Sequence, residues 1–214
     1  MTPGEVPSPC RIYRILHFDN LAGIVEQGGM WCGSEMEARA VPYTQIGLKG
    51  LTSARKNKAV LCGPGGDLCD YVPWHFCPRS VMLFQIATGR SDYAGGQEPV
   101  LHLVTTVEKI ESMGLRYVFT DRHAKTSYAK FFDDRANLGE LDWQTIASDS
   151  FARTESDPDR PYRKEAEFLV YRFVPLVAIV GIGVHSQRWK DDCDRLISAA
   201  GFSIPVKVHT RWYY

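Results

Sequence analysis

The stretch "YRKEAEFLVYRFVP" (residues 162–175) decides how the fold is interpreted. From Phe168 onward its apolar and aromatic residues are typical of a buried β-strand. Four charged residues open the stretch, and the last of them, Glu167, adjoins the apolar run directly. Because successive side chains of a strand alternate between its two faces, Glu167 is predicted to share a face with Leu169 and Tyr171.

A carboxylate on an apolar strand face has three explanations, and the pattern alone leaves all three open. Glu167 can lie at the wet end of an edge strand. It can form a structural ion pair with an arginine. It can also face a cleft and act on a ligand. A buried carboxylate must be paired or hydrogen-bonded, and it becomes a site candidate when it lines a pocket.

The rest of the chain adds strands and short helices without strict alternation. Strands are predicted at residues 11–18, 81–86, 100–104, 115–120, 176–184 and 204–214. Helices are predicted after Asp19, behind a capping box of Thr105 and Glu108, at residues 121–132 behind Asp121, around Trp143, and from Gln187 to Gly201. Residues 31–78 are predicted to be mostly irregular. This order indicates an α+β fold with mixed or antiparallel sheets around one core.

Bulk properties narrow the class of protein. The 214 residues suit one large domain, predicted at residues 11–214, after a flexible, Pro-rich N-terminus at residues 1–10. The formal net charge is zero, so whole-molecule electrostatics predict neither nucleic-acid nor membrane binding, and a partner of either kind must use a local patch. We see no apolar run of about 18 residues and no signal peptide. We therefore expect no membrane partner.

The cysteines favour a reducing compartment and do not form a metal motif. Six cysteines are scattered along the chain, which indicates reduced thiols in a cytoplasm rather than a disulfide scaffold. Cys62, Cys69, His75 and Cys77 suggest zinc, but none of their spacings is CxxC, and we expect no metal. The glycine patterns of Rossmann and P-loop nucleotide sites are also absent from the sequence.

Two further residues are candidates on their position alone. His17 comes near the end of the first predicted strand, just before a helix, where ligands often bind, although a structural histidine is the commoner case. Arg55 is a cation in a Gly-rich loop and is equally consistent with a solvated turn. Neither residue identifies a function by itself.

Seven sequence blocks that occur in a fixed order favour a functional role for these residues over a structural one. They are "RIYRILHFDNL", "WCGS", "IGLKGLTSARK", "DYVPWHFCPRSVMLFQI", "VFTDRHAKTSY", "DPDRPYRKEAEFLVY" and "VHTRWYY". Together they resemble the DarT family of DNA ADP-ribosyltransferase toxins, from about Arg11 to Tyr214. The two most specific pieces are "DYVPWHFCPRSVML" and "RKEAEFLV".

The resemblance implies a fold and an activity. The fold is an ADP-ribosyltransferase fold of two packed β-sheets with short peripheral helices around an NAD cleft. The activity is sequence-dependent transfer of ADP-ribose from NAD onto a base in single-stranded DNA, with thymidine as the expected base, which would block replication. NAD is then the ADP-ribose donor, and the partner is an antitoxin of macrodomain type similar to DarG.

The resemblance also assigns roles to single residues. Glu167 matches the catalytic glutamate, and Arg55 matches an arginine that contacts the nucleotide and activates the target base. The cofactor-binding positions are His17, Phe18, Asp19, Asn20, Gly33, Ser34 and Arg55. The nucleic-acid-binding positions are His123, Ser127, Tyr128 and Arg163.

Two questions stay open at this point. Glu165 lies two residues before Glu167 and is predicted to point to the same face, where it could contact the acceptor. The acceptor could also be a protein or water instead of DNA, or the chain could be a non-catalytic module that binds single strands.

Overall fold

Ten strands form two sheets in the computed structural model, which describes residues 5–48, 50 and 54–214. The large sheet has eight strands in the order β10-β9-β4-β1-β3-β7-β5-β6, and β2 and β8 form the small sheet. The strands are β1 (Arg11–His17), β2 (Gly29–Trp31), β3 (Tyr71–His75), β4 (Val100–Thr106), β5 (Tyr117–Thr120), β6 (Phe131–Phe132), β7 (Glu167–Tyr171), β8 (Phe173–Pro175), β9 (Gly181–Val184) and β10 (Val206–Val208).

Short helices connect and flank these strands. Those whose whole range is described are α1 (Asn20–Glu26), α2 (Gly33–Ala38), α3 (Val81–Ala87), α4 (Val107–Ser112), α5 (Trp143–Ala147), α6 (Arg160–Lys164) and α7 (Gln187–Ala199). Short 3-10 helices lie at Leu68–Asp70, Arg135–Glu140, Leu176–Ala178 and Thr210–Trp212. The α+β class and the presence of two sheets are confirmed, although the second sheet has only two strands.

The strand order places the middle of the chain against its C-terminal half. β3 pairs antiparallel with β7 over five residues, and His75 lies directly opposite Glu167. β5 flanks β7 on its other side, so β7 is an interior strand. A wet edge position is therefore excluded for Glu167.

Both faces of β7 are covered, which explains its nearly continuous apolar sequence. Phe168 and Val170 belong to the main hydrophobic core. Leu169 belongs to a separate cluster with Tyr71 and Val118, and Tyr171 packs against that cluster. The predicted division of β7 into two faces is confirmed.

One predicted strand is a helix. Residues 81–86 form most of α3, because Ser80 caps its N-terminus by accepting a hydrogen bond from the backbone N–H of Leu83. Leu83 and Ile86, three residues apart, are buried on one side. A short apolar run fits a strand and a buried helix equally well, and here the serine cap decides.

One predicted helix is not a helix. Residues 121–130 form turns, followed by β6. The Asp121 carboxylate accepts from the backbone N–H of Lys130 at 3.0 Å, so it closes a loop instead of capping a helix. The helix predicted behind Thr105 and Glu108 is present as α4, but its N-cap is Thr106 and not Thr105.

The segment at residues 31–78 is less irregular than predicted, since it holds β2, α2 and β3. Residues 1–4 of the predicted flexible N-terminus, and residues 49 and 51–53 of the "IGLKGLTSARK" motif, lie outside the described residues. Within the described part of the N-terminus, Cys10 is buried, and its backbone N–H donates to the Glu108 carboxylate.

Candidate active site

Glu167 is buried at the start of β7, with 3% of its surface exposed. Its Oε2 accepts a hydrogen bond from Arg55 Nη1 at 2.8 Å. Its Oε1 accepts from the backbone N–H of Ala124 at 3.0 Å and lies 3.2 Å from His123 Nδ1. Both carboxylate oxygens are thus held in place, and the two side-chain partners are residues predicted for this site.

Charge pairing keeps Glu167 ionised despite its burial. Burial by itself would raise the pKa of this carboxyl, but Arg55 first and His123 second outweigh that effect and hold the pKa well below its usual range. In return, Glu167 raises the pKa of His123, although burial of the imidazole opposes the rise. The site therefore presents a dry, anionic carboxylate at neutral pH.

Two more titratable groups surround this carboxylate. Burial lowers the pKa of His75 to about 4, so the imidazole opposite Glu167 is neutral at pH 7. Its Nδ1 is buried without a hydrogen-bond partner in the described structure. Burial raises the pKa of Glu165 to about 7, and the charge of Glu167 adds to the rise while His123 opposes it.

Glu165 does not continue the strand. It ends α6, with a backbone conformation outside the β region. The prediction that strand alternation places Glu165 on the face of Glu167 is therefore wrong, because alternation begins only at Glu167. The charge of Glu167 nevertheless contributes to the raised pKa of Glu165.

A cavity of about 280 Å³ opens next to Arg55. Three of the predicted cofactor residues line it, namely Asn20, Gly33 and Arg55. Its other walls are mainly apolar or aromatic and include Met30, Trp31, Met36, Tyr43 and Tyr71. An apolar cavity with a few polar groups is the usual form of a small-molecule site.

The remaining predicted cofactor residues lie beside this cavity, not in its wall. The Nδ1 of His17 accepts from the backbone N–H of Asp19 at 3.2 Å, and its ring meets Tyr93 edge-on. Phe18 packs against Trp189. Ser34 donates to Asp70 at 2.7 Å. Their assignment to NAD stays a prediction.

The predicted DNA-facing residues are spread over a wider surface. His123 contacts Glu167, while Ser127 and Tyr128 are exposed on the turns that follow. The Tyr128 hydroxyl donates to Asp159 at 3.1 Å. Arg163 forms ion pairs with Asp142 and Asp157 at 2.8 and 2.7 Å. The DNA contacts of these four residues stay predictions. The two ion pairs of Arg163 help to order the loop between α5 and α6.

Neither a metal cluster nor a spanning helix is found in the part of the chain that the structure describes. No group of three or more His, Cys, Asp or Glu side chains there could hold a metal ion. No described helix is long and apolar enough to cross a membrane.

Two residues of the site escaped the sequence analysis. Arg14 lines the cavity from β1, and His75 faces Glu167 from β3. Arg14 carries the same signal as Glu167, a charge inside an apolar strand. His75 was considered only as a zinc ligand, because its partner lies 92 positions away in sequence and only the sheet brings them together.

The whole chain is similar to characterised DNA-modifying enzymes. A family model for "ssDNA thymidine ADP-ribosyltransferase, DarT" matches residues 13–214. The DNA ADP-ribosyl transferase of Thermus sp. (strain 2.9) is 39% identical over 213 residues, covering 97% of this chain and 98% of the relative. The DNA ADP-ribosyl transferase of Escherichia coli O127:H6 is 29% identical over 209 residues, covering 97% and 95%.

Solved structures agree with these sequence matches. Thermus sp. 2.9 DarT in complex with ADP-ribosylated ssDNA superposes with a TM-score of 0.91 at 37% identity, covering 97% of this chain and 98% of that one. The same enzyme in complex with NAD+ gives a TM-score of 0.89 at 37% identity, covering 98% and 100%. The family model, the relatives and the solved structures agree, and the chain has a buried, ionised glutamate paired with an arginine beside a cavity. This chain therefore belongs to the DarT family of single-stranded-DNA thymidine ADP-ribosyltransferases.

Proposed function

We propose that this protein transfers ADP-ribose from NAD to thymidine in single-stranded DNA, with Glu167 as the catalytic carboxylate. The observation that carries the proposal is the state of Glu167: buried, ionised, oriented by two hydrogen-bond donors and in contact with His123. Family membership and the similarity to DarT bound to NAD+ and to modified DNA support the same reaction.

The role of Glu167 follows from the bond that must break. Cleavage of the bond between ribose C1′ and the nicotinamide nitrogen leaves positive charge on the ribose. A fixed carboxylate stabilises that charge most strongly where water is excluded. Glu167 meets both conditions, since it is fixed by its hydrogen bonds and almost fully buried. In the protein without substrate, the interactions with Arg55 and His123 offset the desolvation of the carboxylate.

Arg55 links the carboxylate to the cavity. Its Nη1 is bonded to Glu167, whereas its Nη2 is buried without a partner. An unpartnered buried N–H is suited to an oxygen of a ligand. A guanidinium is a poor base, because its pKa exceeds about 12. We therefore assign Arg55 to electrostatic stabilisation of thymine as its ring N–H releases its proton to solvent water and the nitrogen bonds to C1′, from which nicotinamide leaves.

The DNA contacts belong to the loop around Glu167. We assign direct contacts to His123, Ser127 and Tyr128, and we assign Arg163 to the same surface through its ordering of the loop. The donor side is assigned to the cavity with His17, Phe18, Asp19, Asn20, Gly33, Ser34 and Arg55. We further propose that residues 11–214 form a single ADP-ribosyltransferase domain after a flexible N-terminus. The protein would act as a cytoplasmic toxin that a macrodomain antitoxin similar to DarG holds inactive.

A mass-spectrometric assay tests the reaction. Purified protein is incubated with NAD and a panel of single-stranded oligonucleotides, each paired with a copy in which thymidine is replaced by deoxyuridine or cytidine. We expect one ADP-ribose on thymidine-containing strands and none on the cytidine copies. Nicotinamide release without DNA modification would indicate water or protein as the acceptor and would contradict the proposal.

Glu167→Gln is the matched variant for the same assay. The amide keeps the size of the side chain and an oxygen for the Ala124 N–H, but it loses the negative charge. We expect transfer to fall at least about 10³-fold, in line with the loss of a principal electrostatic group. Circular dichroism checks that the variant folds. Transfer within about tenfold of wild type in a folded variant would remove the catalytic role.

A further inference from the structure

Arg14 stands out because it is a cation in the wall of the cavity without an anionic partner. It lies on β1, and its Nη1 donates to the backbone carbonyl of Pro73 at 2.8 Å. In the described structure it makes no ion pair, and Pro73 is its one hydrogen-bond partner. The Pro73 contact fixes the guanidinium and leaves its other N–H groups free to bind a ligand.

The cavity wall has an excess of positive charge. Among its described lining residues there are two arginines, Arg14 and Arg55, and no carboxylate. Glu167 neutralises Arg55 through Nη1, but no carboxylate pairs with Arg14 among the residues that the structure describes. An apolar cavity with an unbalanced guanidinium is complementary to an anion.

The two guanidiniums are close enough to repel each other. Burial and, after it, the charge of Arg55 together lower the pKa of Arg14 to about 10. Arg14 remains protonated at neutral pH, so the protein carries an unfavourable interaction that an anionic ligand would relieve. This arrangement favours a ligand group with more than one negative charge.

NAD has one such group. Its adenine, riboses and carboxamide are uncharged and its nicotinamide ring is cationic, whereas its pyrophosphate carries two negative charges. We propose that Arg14 binds the pyrophosphate of NAD and so determines the affinity of the cavity for the donor. The inference rests on the proposed function, because it takes NAD as the occupant of this cavity, and it assigns a residue beyond those of the family resemblance.

A structural role is the competing account. The Pro73 contact also ties β3 to β1, where the described strands share a single register pair, Tyr13 with His75. A variant that keeps this contact but loses the charge separates the two accounts. Arg14→Gln can still donate to the Pro73 carbonyl. Arg14→Lys keeps both the charge and a donor.

Calorimetric titration with ADP-ribose is the direct measurement, because it does not depend on turnover. We expect Arg14→Gln to weaken ADP-ribose binding by about 10- to 100-fold, the usual effect of losing a charge-assisted contact. Arg14→Lys should recover at least part of that loss. Adenosine, which has no phosphate, should bind wild type and Arg14→Gln equally when followed by NMR chemical shifts.

Arg135→Gln is the matched control. Arg135 pairs with Glu108 and Glu111 and is not among the residues that line the cavity, so ADP-ribose affinity should stay within twofold. ADP-ribose binding by Arg14→Gln within twofold of wild type would overturn the inference while leaving the proposed function intact. If Arg14→Gln and Arg14→Lys weakened ADP-ribose binding equally, the role of Arg14 would be structural and the inference would also be overturned. If wild type bound no ADP-ribose, the assignment of NAD to this cavity would fail as well.

Discussion

Glu165 and Glu167 are two carboxyls of the same chemistry whose surroundings differ sharply. Glu167 accepts hydrogen bonds from Arg55 and from the Ala124 N–H, contacts His123 and is anionic. Burial raises the pKa of Glu165 to about 7, and the neighbouring Glu167 charge adds to the rise. The first carboxyl is stabilised in its charged form, and the second is destabilised in that form. Such divergence between neighbouring carboxyls is typical of active sites.

The raised pKa of Glu165 makes a prediction about stability and pH. The unfolded chain releases this proton near its ordinary pKa of 4.5, whereas the folded protein keeps it until about pH 7. Between these values the folded state binds more protons, so this group makes the protein less stable as pH rises. Glu165→Gln removes the effect. We expect the free energy of unfolding of the variant to exceed that of wild type by about 1–3 kcal/mol at pH 8 and by much less at pH 4.5.

Chemical denaturation at the two pH values measures this difference. Glu140→Gln is the control, because Glu140 is exposed and its substitution should change the free energy of unfolding equally at both. If Glu165→Gln gave the same gain at pH 4.5 and pH 8, the carboxyl would not titrate as described here.

The sequence predicted the residues of the site better than their contacts. A carboxylate on an apolar strand face was visible in "AEFLVY", and the choice between a structural and a catalytic role needed the family resemblance. The pair of Arg55 and Glu167 spans 112 positions and becomes visible only through the fold. The ion-pair explanation for Glu167 is confirmed, because Arg55 pairs with it. The cleft explanation stays a prediction, since Arg55 lines the cavity and Glu167 is not among its described lining residues.

At the scale of elements, Arg163 joins the segment between α5 and α6 to the start of β7. It lies on α6, four residues before the first residue of β7, and holds Asp142 before α5 and Asp157 in the connecting loop. We predict that Arg163→Ala loosens this loop and weakens DNA binding while NAD affinity is retained. Two partly exposed ion pairs are worth about 1 kcal/mol in the free energy of unfolding.

Hydrogen exchange of residues 148–159 and DNA titration measure the two effects. Asp157→Asn is the informative partner, since it loosens the same loop but leaves the arginine in place. Both variants should speed exchange and weaken DNA binding. If only Arg163→Ala weakened binding, Arg163 would contact DNA directly, and the loop-ordering explanation would be wrong.

Two element assignments show why local pattern was insufficient. "VMLFQI" is apolar enough for a strand, but Ser80 caps it as a helix. "DRHAKTSY" has helix-forming residues, but its backbone instead supplies the Ala124 N–H to Glu167 and closes through Asp121 and Lys130. In the second case a tertiary contact of the site overrides local propensity, which is where sequence-level reasoning is expected to fail.

Over the whole molecule, the charges balance but are unevenly placed. The formal net charge is zero. Residues 133–159 carry eight acidic side chains against two arginines, so positive charge is in excess elsewhere. Several of those acids are engaged by arginines, among them Asp142, Asp157 and Asp159. Any DNA strand must therefore follow a short path and avoid the acidic surface.

This distribution predicts a weak salt dependence of DNA binding. Each phosphate that a cation neutralises releases counterions, and for single strands the slope of log K against log salt is about −0.7 per phosphate. A neutral protein with a local patch should neutralise about two to four phosphates, which gives a slope of about −1.5 to −3. Stacking of bases on aromatic side chains such as Tyr128 would supply salt-independent affinity.

Fluorescence anisotropy with a labelled thymidine-containing oligonucleotide, from about 50 to 300 mM NaCl, measures the slope. The catalytically impaired Glu167→Gln protein prevents turnover during the titration. Lengthening the oligonucleotide beyond a few nucleotides on each side of the thymidine should leave the slope unchanged, because further phosphates would meet no additional cations. A slope steeper than about −5, or one that grows with strand length, would indicate an extended basic track. Such a track is inconsistent with a protein whose positive and negative charges cancel and whose segment before β7 is acidic.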